Sequence, residues 1–250
     1  MKVTVLGSGT FIPNLKRNAP GYLLEFNGKK ILIDCGSSTL LQLEKIKSES
    51  YKELDYIFIT HTHTDHVSDL DALLHVLKWN KGREKELVFV GPKEFKDFYL
   101  NYLEPIIEGN CDFKIMVKEI EDNFNFEDFN VEAIRTKHTD NTNSVAYKFI
   151  IDNKRIIFSG DMGYDEKFIE FSQDGDLLIL ECTISTTEKN GWNGHLNAEQ
   201  CAEIAKKANP KKLILTHLHK DEKDNQKKLE IVKKEFPNVE LAYDLMEIEL

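Results

Sequence analysis

The sequence predicts an α/β protein made of two β-sheets set back to back with helices outside. Three observations carry that expectation. Short apolar runs bounded by turn residues alternate with segments of helical spacing. Two dipeptides, Asn27-Gly28 and Asp152-Asn153, have the composition of tight hairpin turns. The combination of hairpin and strand–helix alternation occurs once in each half of the chain, which suggests two sheets rather than one.

Taken in order, strands are expected at 2–7, 21–27, 30–34, 55–60, 87–90, 131–136, 144–151, 154–158, 176–180, 212–216 and 239–249. Helical spacing brings Leu40, Leu41, Leu43 and Ile46 onto one face of 38–47, and Leu70, Leu73, Leu74 and Leu77 onto one face of 70–80. Segments 93–104, 164–172, 198–208 and 224–236 are the other expected helices. Asn197 followed by Gln200 has the form of a capping box opening one of them. No period repeats and no Pro-, Gly- or Ser-rich linker divides the chain, so residues 1–250 read as a single domain.

Composition narrows the class of protein. With 41% hydrophobic and 30% charged residues, the chain is an ordinary globular sequence, with no sign of disorder or of a disulfide scaffold. Met1 to Leu6 runs straight into a strand pattern, and no apolar run approaches the ~20 residues that span a bilayer. The expectation is a soluble cytoplasmic protein without a membrane partner. Cys35, Cys111, Cys182 and Cys201 are far apart and form no CxxC pair, which fits reduced thiols in a cytosol. The formal net charge of -10 argues against a broad nucleic-acid face, without excluding a small one.

The strongest chemical signal is His61-Thr62-His63-Thr64-Asp65-His66, which follows the strand pattern Tyr56 to Thr60 and precedes a helical one. Alternate residues of an extended segment point the same way, so His61 and His63 can chelate one ion. Asp65 and His66 turn with the chain toward a second. Imidazole suits zinc, iron, nickel and manganese-like ions, and a carboxylate adds a harder donor. A chance polar turn is a poor rival, since three of only eight histidines fall in six residues. Further ligands stand at other expected strand ends: His138 after Val131 to Thr136, Asp161 after Ile156 to Gly160, and His217 after Leu213 to Thr216. Each alone reads more readily as a structural residue. Together with the first motif they can converge on one site, with Asp161 as the natural bridging carboxylate.

The order HxHxDH, a lone His, Ser-Gly-Asp and Leu-Thr-His resembles the metallo-β-lactamase superfamily and, within it, the ribonuclease Z-like branch. Family-like stretches extend over nearly the whole chain, among them Leu6 to Thr10, Gly28 to Gly36, Leu180 to Thr183, and Gly194-His195-Leu196-Asn197-Ala198-Glu199-Gln200. The resemblance implies the αββα four-layer sandwich. It also implies a dinuclear hydrolase in which His61, His63 and His138 hold one divalent ion, Asp65, His66 and His217 hold the other, and Asp161 bridges them. Zinc is the first expectation, with manganese or iron as alternatives. Asp65 is counted both as a ligand and as a catalytic residue. His195 is not a ligand in this scheme; it protonates the leaving group or contacts the phosphate, at a helix start that favours anions. Glu181 is expected to orient His195 through a hydrogen bond.

The activity expected is phosphodiester hydrolysis by a metal-bridging hydroxide, on a small phosphodiester or short nucleic acid, with a homodimer as the assembly to test. A lactone, thioester or sulfate ester is the alternative substrate class; relatives of that kind carry a Gly-His-Thr turn at the third ligand, where this chain has Thr136-Lys137-His138-Thr139-Asp140. A di-iron redox protein is a further alternative, disfavoured because that branch has glutamate at the position of His63. A non-catalytic metal scaffold fits poorly with an intact ligand set. Several residues attract the plainer reading. His75 lies mid-helix, His219 lies in a loop just past His217, and Gly7-Ser8-Gly9 lacks the lysine of a phosphate loop. Asp34 is expected to brace the metal loop, and Asp69 to cap the helix that follows it.

Overall fold

Each hairpin turn read from the sequence joins two antiparallel strands, one turn in each sheet. The computed structural model describes residues 1–109, 111–188 and 193–250, which cluster into two units: Met1–Ile120 with Tyr243–Leu250, and Glu121–Ala242. In the first unit, β1 (Lys2–Gly7), β2 (Gly21–Phe26) and β3 (Lys29–Ile33) pair antiparallel. Asn27 and Gly28 join β2 to β3 with φ of 45° and 75°. Two successive positive φ values make the mirror-image turn whose twist matches the flanking strands.

Helical crossovers then switch the same sheet to parallel pairing. After β3 come α1 (Thr39–Ile46) and β4 (Tyr56–Phe58); α2 (Thr64–Val67) and α3 (Leu70–Trp79) lead to β5 (Leu87–Gly91); α4 (Phe95–Phe98) opens an irregular helical stretch before β6 (Ile115–Glu119). Leu70, Leu73, Leu74 and Leu77 of α3 are all buried and pack with Leu32, Ile57 and Phe89 of the sheet, as the helical spacing required. Each such side chain contributes roughly 1.5–3 kcal/mol by leaving water, which is why the apolar stripe decides the helix orientation.

The second unit repeats the plan. The strands β7 (Asn123–Asn125), β8 (Asn130–Arg135), β9 (Val145–Ile151) and β10 (Lys154–Phe158) form an antiparallel run, with Asp152 and Asn153 at φ of 49° and 62° in the β9–β10 turn. Parallel β11 (Leu177–Glu181), β12 (Leu213–Thr216) and β13 (Val239–Leu241) follow, interleaved with α5 (Glu166–Phe171), α6 (Ala198–Ala208) and α7 (Glu222–Glu235). The capping box forms as expected: Asn197 accepts from the Gln200 backbone N–H at 2.9 Å and its own N–H reaches the Gln200 side chain at 3.0 Å. Alanines 198, 202, 205 and 208 let α6 lie close against Leu178, Leu180, Leu213 and Leu215.

Five sequence expectations need correction, the first being Leu41, which is 56% exposed and does not share the packed face of α1 with Leu40, Leu43 and Ile46. The segment 239–249 is two strands, β13 in the second unit and β14 (Glu247–Glu249) beside β1 in the first. Leu245, at φ 65°, breaks the extended backbone between them. The expected helix 93–104 is α-helical only over α4 and continues as tighter and wider turns up to Ile107. β6 and β7 fall outside the expected strands; each is an edge strand, half-exposed, with an apolar run of at most three residues. Asp69 makes no side-chain cap to α3; its Oδ2 instead accepts from the Leu40 N–H at 3.0 Å and caps α1. Among the described residues, no helix is long and apolar enough to cross a membrane.

Candidate metal centre

In the first unit the HxHxDH motif begins where β4 ends. Ile57, Phe58 and Ile59 are fully buried and anchor the exit of that strand. The backbone stays extended through His63 (φ -64°, ψ 147°), so His61 and His63 face the same way. His61 Nε2 and His63 Nδ1 lie 3.1 Å apart. The chain then turns into α2, which carries Asp65 and His66, with His66 Nε2 at 3.8 Å from Asp65 Oδ2.

Asp34 holds this loop from beneath. It follows β3 at φ 56° and is 1% exposed. Its carboxylate accepts from the Thr60 backbone N–H at 2.8 Å, from the Thr60 hydroxyl, and from His66 Nδ1 at 2.8 Å. That last bond places the Nδ1 proton of His66 and turns its Nε2 into the lone-pair donor. Gly36 permits the close approach on which the loop depends: a Cβ there would lie 1.9 Å from the Asp65 carbonyl oxygen.

In the second unit the remaining predicted residues come together at the ends of β8, β10, β11 and β12. Asp161 follows β10, and its main-chain carbonyl accepts from the Thr136 and Ser144 hydroxyls at 3.0 and 3.2 Å. Its two carboxylate oxygens face two imidazoles, with Oδ2 3.8 Å from His138 Nε2 and Oδ1 3.5 Å from His217 Nε2. Donors bound about 2.1 Å from a tetrahedral ion lie about 3.4 Å from each other, so these separations suit ligands of a shared metal better than direct hydrogen bonds. The other ring nitrogens are engaged by the protein. His138 Nδ1 donates to the Gly194 carbonyl at 2.8 Å, and His217 Nδ1 donates to the Thr183 hydroxyl at 2.7 Å. A ligand histidine whose far nitrogen is fixed by a protein acceptor is the arrangement metal sites use.

Glu181 is the hub of this half. It is 1% exposed. Oε1 accepts from His195 Nδ1 at 2.7 Å and from the Met162 N–H at 2.8 Å, while Oε2 accepts from the Thr183 hydroxyl at 2.7 Å. The Thr183 hydroxyl therefore donates to Glu181 and accepts from His217, linking the two histidines through one carboxylate. His195 enters just before α6, its ring stacked on His217 at 5.5 Å and tilted to His138 at 5.0 Å. His138, Asp161 and His195 each offer a ligand atom within 4.8 Å of the others. His219 stands apart from these contacts, and burial pushes its imidazole below the usual histidine range. His75 is exposed on α3.

Sequence reasoning missed Thr183 and the Gly194 carbonyl. Thr183 lies in a stretch already noticed, Leu180 to Thr183, but a threonine carries no signal of its own. A carbonyl carries none at all.

A family model described as anti-Pycsar protein Apyc1 matches residues 1–236. Ribonuclease Z of Archaeoglobus fulgidus is 29% identical over 305 aligned residues, spanning 100% of this chain and 97% of that protein. The crystal structure of the metallo-β-lactamase fold protein YhfI from Bacillus subtilis superposes with a TM-score of 0.86 at 25% identity, covering 99% of both chains. Human tRNase Z, short form (ELAC1), gives a TM-score of 0.82 at 26% identity over 100% of this chain and 99% of that one. The fold expected from the sequence, that of the metallo-β-lactamases, is borne out.

Proposed function

The chain belongs to the anti-Pycsar protein Apyc1 family, and from its likeness to ribonuclease Z and its cluster of histidines and aspartates we propose a ribonuclease Z-like, metal-dependent phosphodiesterase that works on small phosphodiesters. In this reading residues 1–250 act as one hydrolase domain. His61, His63 and His138 hold one divalent ion, Asp65, His66 and His217 hold the other, and Asp161 belongs to both. The donor set of imidazoles and carboxylates fits zinc first, with manganese or iron as alternatives. When bound, two such ions supply an acidified water and positive charge where the phosphorane-like charge builds.

The observation that carries the reading is the support behind the ligands. His66, His138 and His217 each have Nδ1 on a protein acceptor, at 2.8, 2.8 and 2.7 Å. Bare polar clusters are not built that way. His195 likewise has Nδ1 on a carboxylate, that of Glu181, but in this reading it is the proton donor and not a ligand: in its protonated form Nε2 carries the proton available to a departing alkoxide. Glu181 keeps that imidazolium oriented and stabilised.

The size of the substrate follows from what lies between the third histidine and the bridging aspartate. Only 22 residues separate His138 from Asp161, and β9 and β10 use 12 of them. Ribonuclease Z enzymes that process tRNA typically carry a long flexible arm inserted between these two residues, and no such arm is inserted here. A net charge of -10 adds general repulsion of a polyanion. A cyclic nucleotide or short oligonucleotide is the substrate expected, acted on in a cytosol where the four free cysteines stay reduced. The deciding experiment is a panel of phosphodiester, lactone, thioester and sulfate ester substrates with zinc, manganese and iron, run on protein whose oligomeric state, with a homodimer as the assembly to test, is read by light scattering. Hydrolysis confined to a non-phosphate ester would overturn the reading.

A further inference from the structure

The buried face of α7 is polar, and it grips the two loops that carry the second half of the site. Four residues of this helix are buried, and three of them are Asp224, Asn225 and Lys228. Positions i, i+1 and i+4 share one side of a helix. Lys228 is 0% exposed. Its ammonium donates to the Cys182 carbonyl at 2.7 Å and to the Thr183 carbonyl at 3.0 Å, with Asp224 Oδ2 at 3.8 Å. Asp224 in turn accepts from the Thr186 N–H at 3.0 Å and from the Thr186 hydroxyl. Asn225, also 0% exposed, donates to the His219 carbonyl at 2.8 Å.

Covering a sheet does not call for such residues. Burying an ammonium is costly unless its donors are satisfied, and apolar side chains of the same volume often stabilise a fold as well or better. What these three hold is specific. Lys228 and Asp224 fasten 182–186, the segment after β11, and Asn225 fastens 217–219, the segment after β12. Between those segments runs the hydrogen-bond chain from His217 through Thr183 to Glu181 and His195. Both links of Thr183 are 2.7 Å long, so a shift of the Thr183 backbone would break one or both.

We propose that Lys228, with Asp224 and Asn225, is a positioning cluster for the metal centre, holding Thr183 where it fixes the ring of His217. This rests on the metal-site reading above. It predicts a selective effect, because the first-unit histidines are braced by Asp34 and not by α7. Loss of a group that orients a ligand histidine commonly weakens metal binding by ~10–100-fold.

The test is Zn2+ titration against a competing chelator, on wild-type protein and Lys228→Met, with the melting temperature of each metal-free protein measured alongside. The expected result is two Zn2+ per wild-type chain, and a variant in which one ion binds ~10–100-fold more weakly while the other is unchanged. Equal weakening of both ions in step with lost metal-free stability, or no change in either, would overturn the proposal. If Lys228→Met does not fold, Asn225→Leu and Asp224→Asn are read by the same two measurements and the same criterion. Wild-type protein that binds no Zn2+ would sink the metal-site reading and this inference together, whereas two normal ions in every variant would sink the inference alone.

Discussion

His195 Nδ1 lies 2.7 Å from Oε1 of Glu181, and the same carboxylate reaches His217 through the hydroxyl of Thr183. One buried acid thus serves a proposed ligand and a proposed proton donor at once. His195 keeps 14% of its side chain exposed, while Glu181 keeps 1%, so the histidine is the member of the pair that can meet a substrate.

A first prediction separates these roles. His195→Ala is expected to retain both metal ions while phosphodiester turnover falls by ~10²–10⁴-fold, the range of general acid catalysis. The loss should be larger for an alkoxide leaving group than for p-nitrophenolate, which needs little protonation. Metal analysis and kcat for both substrates check it. Equal losses on the two leaving groups, or missing metal, count against the role.

Metal content gives the second. Elemental analysis of purified or reconstituted protein is expected to find about two transition-metal ions per chain. Asp161→Ala should lose occupancy as well as rate, because its two carboxylate oxygens face the proposed ligands His138 and His217. Chelation should lower the melting temperature of the wild type, since a ligand that binds only the folded state stabilises it by mass action.

The thiols supply a third. Cys35, Cys182 and Cys201 are buried, and burial pushes the Cys35 and Cys201 thiols well above the usual range. Cys111 is half-buried, and its thiol is raised too, chiefly by desolvation. The reactive form is the thiolate, and a raised pKa removes it at pH 7–8. A thiol-specific reagent should therefore label at most Cys111, slowly, in native protein at pH 7.5, faster as pH rises, and all four cysteines after unfolding. Rapid native labelling of Cys182 or Cys201 would contradict the packing around Glu181.

Substrate size gives the fourth. The ratio of kcat/KM for a cyclic nucleotide or dinucleotide to that for precursor tRNA is expected to favour the small diester at physiological salt. Phosphate contacts supply much of the affinity for a folded RNA, and this chain has no arm between His138 and Asp161 to make them. Efficient tRNA 3′ cleavage would reverse the expectation.

Much of this molecule was legible in the residues alone. The hairpin turns at Asn27-Gly28 and Asp152-Asn153, the leucine stripe of α3 and the capping box at Asn197 are local features, governed by backbone sterics and side-chain spacing, and they stand where the sequence put them. The ligand candidates were legible for a similar reason: histidine and aspartate are scarce enough at strand ends that their pattern stands out. The break between β13 and β14 was not, because Val239 to Glu249 holds no Gly or Pro to mark it and pairing partners in two different sheets divide it. Nor were the supports of the site. Lys228 sits among lysines and glutamates, and a charged helix in a sequence reads as a solvated one. Its complete burial is settled by how α7 lies on the loops after β11 and β12. Sequence determined which chemistry was present; tertiary structure decided which polar groups left water and therefore had to find partners, since an unpaired polar group costs free energy only once it is buried.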